Sequence, residues 1–277
     1  MTPASSNTAT GYPTLALDPA TCQPYVSFLD KATSIVTVET YTSGTWVTLG
    51  TVNGAVDYGP SLVLYNGTPY LSFGSGGAEY VVQWNGSGWV TVGSPIPVSD
   101  STSNTSLAVD SATGTLYFTY GAGTSPVWKF NGANWVQVVS SVSSGNFGPQ
   151  SLKIDNGIPY LVYETGTQVY VQTFNGTNWV TMGGGSVSSD QTEWPSLAFC
   201  CHNPVVSVDD ETALNVGIFK YQNGSWINVG AFPQGSGDVE HTSLWIDPNC
   251  NAYVAYMDAN CSNQTTVMHS PIPLACL

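Results

Sequence analysis

The sequence has no arginine and only four lysines among its 277 residues, and just 8% of the chain is charged, yet eighteen acids set the net charge at −14. A nucleic-acid binder must displace counterions from phosphates with a cationic face, which four scattered lysines cannot build. Chemistry that clamps a carboxylate or phosphate in a guanidinium fork is likewise excluded. No run approaches the ~20 apolar residues that a helical membrane span requires. The first residues, MTPASSNTATGYP, lack the basic and apolar segments of a signal peptide. Also missing are a Gly-x-Ser-x-Gly elbow, a P-loop, a His-Glu-x-x-His pair and a dinucleotide fingerprint. His202, His241 and His269 lie in unrelated contexts. The expectation is a protein that is not an enzyme, binds no nucleic acid and does not span a membrane.

What is present favours strands. Valine (31) and threonine (30) outnumber leucine (16), and the chain holds 29 glycines and 17 prolines. A hydroxyl-leucine pair recurs at Thr14-Leu15, Ser61-Leu62, Ser106-Leu107, Ser151-Leu152, Ser196-Leu197 and Ser243-Leu244, with leucine spacings of 47, 45, 45, 45 and 47. About ten residues after each pair comes a second apolar alternation, such as Pro69-Tyr70 to Phe73. A third run ends in aromatic-Asn-Gly at Trp84, Phe130 and Phe174, and a fourth opens on Trp46, Trp89, Trp135, Trp179 or Trp226. Asn-Gly suits the positive φ of a tight hairpin. A four-stranded unit of this length cannot bury both faces alone, so neighbours must stack. The period predicts an all-β six-bladed β-propeller with four antiparallel strands per blade. It would be a single domain over 1–277, with blades near 14–50, 61–94, 106–139, 151–183, 196–230 and 243–277. The repeated tryptophans are expected to pack blade against blade.

These repeats resemble the tandem propeller repeats of kelch-like and related extracellular proteins, which implies the fold and no particular chemistry. The double glycine that marks true kelch repeats after the second strand occurs only at Gly76-Gly77. The Asn-Gly-x-x-Trp hairpins look superficially like sialidase Asp-boxes, but the Ser-x-Asp-x-Gly part and the arginine triad are both missing.

In such a propeller the turns between strands two and three share one end with the blade connections. That end collects Asp30, Glu164, Asp209, Asp210, Glu211 and Asp258, together with Asp57, Asp190, Glu193, Asp238 and Glu240. Tyr58, Phe147, Trp194 and His241 join them. Trp194, Glu193, Asp209 and Asp210 are the candidate ligand-binding residues, because strand packing gives no reason for a tryptophan in a connection. Such a face could stack a sugar ring or attract a cationic partner. It could also hold Ca²⁺, although no calcium-loop motif supports that ion and no cofactor or metal is expected. Asp18, Asp110, Asp155 and Asp247, at the far end of strand one, suit Asx turns. The strand-one hydroxyls suit hydrogen bonds to a neighbouring blade.

Six cysteines suggest disulfides. Turn positions pair Cys261 with Cys276 and Cys22 with Cys250, leaving Cys200 with Cys201 as a vicinal pair. The alternative joins Cys200 or Cys201 to Cys250. Glycosylation sequons occur at Asn66, Asn85, Asn104, Asn175, Asn223, Asn260 and Asn263. Together these imply an oxidising setting, extracellular or at the cell surface. The leading reading is a secreted, non-catalytic recognition or assembly module that binds a protein or glycan, with a subunit of a self-assembling extracellular fibre or matrix as one form of it. A carbohydrate-binding lectin is the alternative, and a glycoside hydrolase or other hydrolase the second.

Overall fold

The computed structural model describes residues 10–54, 59–98, 105–121, 124–139, 142–144, 147–233, 239–258, 264–270 and 274. The architecture is the expected all-β six-bladed β-propeller. The chain divides into two compact units, Met1–Ser141 and Val142–Leu277, each carrying three blades. The first unit holds blade one (Thr10–Leu17, Pro24–Asp30, Ile35–Thr42, Thr45–Asn53) and blade two (Ser61–Tyr65, Thr68–Ser75, Ala78–Trp84, Trp89–Thr91). Blade three follows with Thr105–Val109, Leu116–Tyr120, Val127–Phe130 and Trp135–Gln137. The second unit holds blade four (Phe147–Asp155, Ile158–Thr165, Gln168–Phe174, Trp179–Thr181) and blade five (Thr192–Cys200, Asn203–Asp210, Asn215–Gln222, Ser225–Pro233). Blade six has three described strands, Val239–Ile246, Ala252–Asp258 and Gln264–His269. Each blade is an antiparallel meander in chain order. No helix among the described residues is long and apolar enough to cross a membrane.

Alternating Val, Leu and aromatic residues give strands buried on both faces, so the core lies between blades. Val36, Val38 and Val52 of blade one close on Leu62, Leu71 and Phe73 of blade two. Val81 and Val92 of blade two meet Leu107, Leu116 and Phe118 of blade three. In the second unit Val162 and Val169 pack on Leu197 and Val206, and Val205 and Val216 pack on Leu244 and Val254. Burial of this kind stabilises by about 25 cal/mol per Å² of apolar surface.

Tryptophans near the start of strand four lock this stacking at three of the blades. Trp46, Trp89, Trp135, Trp179 and Trp226 each stand opposite the aromatic that closes strand three, at ring centroids 5.3, 5.4, 5.2, 5.7 and 5.2 Å away. Three of them also reach back to a glycine of the preceding blade. A Cβ on Gly50 would come within 3.0 Å of Trp89, one on Gly93 within 3.0 Å of Trp135, and one on Gly183 within 2.8 Å of Trp226. Trp135 Nε1 donates to the Val92 carbonyl at 2.8 Å, and Trp226 Nε1 to that of Met182 at 3.3 Å.

The hydroxyl-leucine pairs join neighbouring blades as expected. Ser61 Oγ accepts the Leu107 N–H and Ser196 Oγ accepts the Leu244 N–H, both at 3.0 Å. Asp18, Asp110 and Asp247 close Asx turns through the amides of Ala20, Ala112 and Asn249. Asp155 differs, because its carboxylate faces His202 Nδ1 of blade five at 2.9 Å.

The Asn-Gly hairpins after strand three work differently from the expectation. At Asn85, Asn131 and Asn175 the side-chain Oδ1 accepts amides two and three residues on, and only the following glycine has positive φ. The expected geometry, positive φ at both positions, occurs at Asn66-Gly67, Asn156-Gly157 and Asn223-Gly224. A four-residue turn lets asparagine act through its side chain rather than its backbone.

The cysteines require two corrections. Cys200 is bonded to Cys250, with Cα atoms 5.3 Å apart, which is the alternative pairing; it is neither Cys22–Cys250 nor the vicinal Cys200–Cys201. Cys22 carries an exposed free thiol. Adjacent Cα atoms lie only about 3.8 Å apart, short of the roughly 4.4–6.8 Å a disulfide spans. Cys200 ends strand one of blade five and Cys250 lies in the strand one-two turn of blade six, which puts both at one end of stacked neighbours. Cys261 and Cys276, like the sequons at Asn104, Asn260 and Asn263, lie outside the described residues. Asn66, Asn85, Asn175 and Asn223 are exposed.

Candidate functional site

In the second unit, strand one of blade five begins with a β-bulge. Its register against strand two jumps from Glu193–Asp209 to Ser196–Ser207. The chain accommodates the bulge at Trp194, whose φ is +47°, a left-handed conformation that costs a bulky residue on the order of 1–2 kcal/mol. Two neighbours hold it there. The Trp194 N–H donates to Glu164 Oε2 of blade four at 3.2 Å, and Thr242 Oγ1 of blade six donates to the Trp194 carbonyl at 2.6 Å. Thr242 is itself within 2.9 Å of Ser207 Oγ of blade five. Backbone strain that surroundings over-determine in this way is characteristic of functional positions.

Blade six repeats the device, with the jump between Glu240 and Ser243 and His241 at φ +59°. The exposed His241 ring lies against the half-buried Trp194 ring, centroids 3.9 Å apart and planes tilted 56°. Blade one carries the same bulge at Tyr12 (φ +52°), with Lys31 Nζ 4.7 Å from the ring centroid. Blade four shows the same jump between Phe147 and Gln150. Strand one therefore presents an aromatic at its bulge in three blades. The signal in the sequence was aromatic-Pro-hydroxyl-Leu, at Tyr12-Pro13-Thr14-Leu15 and Trp194-Pro195-Ser196-Leu197.

The four candidate residues separate into two pairs. Trp194 and Glu193 are partly exposed and stand beside Glu164 and His241. Asp209 and Asp210 are only 2% and 3% exposed. Asp210 Oδ1 accepts the Thr212 and Ala213 amides at 3.1 and 2.8 Å, so that carboxylate closes the turn between strands two and three. Sequence reasoning placed Glu164 at this end but not among the four candidates; it reaches the site from the blade before. Burial pushes the Glu164 carboxyl above its ordinary value; the Trp194 N–H opposes this, and the nearby Glu193 charge adds to the rise.

The arrangement offers an aromatic face, an imidazole and carboxylate acceptors at a rigid edge, the combination with which proteins stack sugar rings and hydrogen-bond their hydroxyls. Trp89, Trp135 and Trp226 of strand four, by contrast, are engaged in blade packing. Among the described residues, the one set of three metal-ligating side chains whose ligand atoms converge is Cys200, Cys201 and Cys250.

No protein-family model and no curated relative matches the sequence. Solved structures do. The chain is similar to SapL1 lectin in complex with alpha methyl fucoside (TM-score 0.65, 11% identity), covering 96% of this chain and 99% of the lectin. It is similar to Aleuria aurantia lectin, an Asn-to-Gln variant bound to Fucalpha1-6GlcNAc (TM-score 0.62, 13% identity, 96% and 97% covered). A triple arginine-to-alanine variant of AofleA from Arthrobotrys oligospora also matches (TM-score 0.64, 13% identity, 95% and 83% covered). At this identity the likeness is one of fold.

Proposed function

We propose that this protein is a carbohydrate-binding propeller, a lectin that recognises neutral sugars without transforming them. The observation that carries this reading is the end-to-end likeness to lectins bound to fucosides, in which neither chain has much left unmatched. It favours the lectin reading over a protein-assembly module or a hydrolase. The Trp194–His241 edge, flanked by Glu164 and Glu193, is the proposed sugar platform in the second unit. With no arginine, its hydrogen-bonding charge is carboxylate, so it would accept from sugar hydroxyls and repel anionic glycans. The Cys200–Cys250 disulfide fits an oxidising, extracellular setting.

A glycan array followed by calorimetry on the best hit tests the reading. The expected result is binding to neutral saccharides, α-methyl fucoside included, that weakens at least about fivefold in Trp194→Ala, since loss of an aromatic contact removes about 1–3 kcal/mol. An array with no hits from folded protein would overturn it. Binding that Trp194→Ala leaves intact would move the site elsewhere.

A further inference from the structure

Across strands two and three, five blades set a tyrosine beside a polar side chain: Tyr25 with Thr40, Tyr70 with Gln83, Tyr117 with Lys129, Tyr160 with Thr173 and Tyr253 with His269. In four of them the polar group is engaged. Thr40 Oγ1 donates to the Pro24 carbonyl at 3.1 Å and accepts from Gln23 Nε2 at 2.8 Å. Thr173 Oγ1 donates to the Pro159 carbonyl at 3.4 Å. Lys129 Nζ stands 5.5 Å from the Tyr117 ring centroid, and the His269 ring 5.3 Å from that of Tyr253. Blade two differs. Among the described residues, the Gln83 carboxamide and the Thr68 hydroxyl make no side-chain hydrogen bond, although both residues are half-buried. With Tyr70 and Asn85 they line a groove of about 460 Å³ between the hairpins at Gly67 and Gly86.

We propose that this groove is a further saccharide-binding site, for a neutral mono- or disaccharide, built within blade two and using none of the residues of the Trp194–His241 platform. Its volume falls within the roughly 300–1,000 Å³ of small-molecule sites. Asn85 Oδ1 accepts from the Ser87 N–H, the Ser87 hydroxyl and the Gly88 N–H at 3.0, 3.0 and 2.9 Å, which fixes that carboxamide and leaves its NH₂ to donate. Gln83 both donates and accepts, as does Thr68, and sugar hydroxyls do the same. The half-buried Tyr70 ring supplies an aromatic wall for the apolar face of a pyranose. No charged side chain lines the groove. A Cβ on Gly67 would stand 3.7 Å from Asp18 Oδ2, so an anionic sugar entering there would meet a carboxylate.

The whole chain, nitrogen-15-labelled and made in a host that attaches no N-glycans, is titrated with α-methyl fucoside, methyl β-galactoside, methyl α-mannoside and N-acetylglucosamine while side-chain amide signals are followed by NMR. The expected result is a saturable shift of the Gln83 and Asn85 signals with at least one of these sugars. Trp194→Ala should leave that shift in place. Gln83→Met, which keeps the side chain's length and loses its carboxamide, should weaken the binding read at Asn85 by about two- to tenfold. Methyl β-galacturonide should bind more weakly than methyl β-galactoside at low salt. No shift at Gln83 and Asn85 with any probe, or undiminished binding in Gln83→Met, overturns the proposal; equal binding of the galacturonide overturns its selectivity for neutral sugars. Shifts confined to Trp194 and His241 overturn it while leaving the lectin reading intact. Should Gln83→Met not fold, the wild-type titration, which needs no variant of blade two, decides by itself.

Discussion

At the scale of single residues, Glu164 sits in an environment that departs from that of a solvated acid. Its pKa is raised in the folded chain above the ordinary 4.5, with burial as the leading cause. A group with a raised folded pKa contributes stability that is complete below its unfolded pKa and is lost as pH climbs through the folded value. Thermal stability should therefore fall across the mildly acidic range as pH rises, and Glu164→Gln, which can still accept the Trp194 N–H, should flatten that decline. Melting curves of the two proteins from pH 4 to pH 7 check this, and parallel curves would refute it. Trp194 shows how far the residue level was legible. Its isolation from the strand pattern identified it in the sequence, but nothing in tryptophan's intrinsic preferences announces a φ of +47°. That conformation comes from a carboxylate and a hydroxyl on two other blades, partners that no local pattern records.

At the scale of elements, the strands were readable because each blade restates the same alternation. Their linkages were less so. The Asn-Gly hairpins illustrate the limit, since one dipeptide serves a side-chain-capped turn at Asn85 and a two-residue turn at Asn223. The disulfide is another such case. Turn positions narrowed the partners of Cys250, and the stacking of blades five and six selects Cys200. Cys250→Ser should destabilise the oxidised protein by about 2–4 kcal/mol, measured by denaturant unfolding, because the bond closes a long loop. The tryptophan contacts yield a second test. Trp135→Ala leaves a void against Gly93 and the Val92 carbonyl and should cost about 3 kcal/mol. Trp135→Phe keeps a ring but forfeits the 2.8 Å hydrogen bond, at about 1 kcal/mol. Equal losses in the two variants would mean that the indole N–H, rather than the ring, carries the contact.

At the scale of the whole molecule, the low charge count and the acidic balance have separate origins. Strands buried on both faces have little room for charge, and the ionisable groups they do contain, such as Glu79 and Lys220, are almost fully enclosed. The remaining acids give a sequence pI near 4.1. For a lectin this field predicts discrimination among ligands. Neutral saccharides should bind with little dependence on ionic strength, whereas sulfated or sialylated forms of the same sugars should bind more weakly at low salt and recover as salt screens the repulsion. Calorimetry at two ionic strengths checks both halves.

The tryptophan-on-glycine contact makes blade two a plug and a socket at once. Blade two inserts Trp89 at Gly50 of blade one and offers Gly93 to Trp135 of blade three. The two halves of the joint therefore lie on different repeats. A tandem copy of one full period would bring one tryptophan and one glycine wherever it is cut, whereas a copy shorter than the period that ends before its glycine would arrive with a plug and no socket.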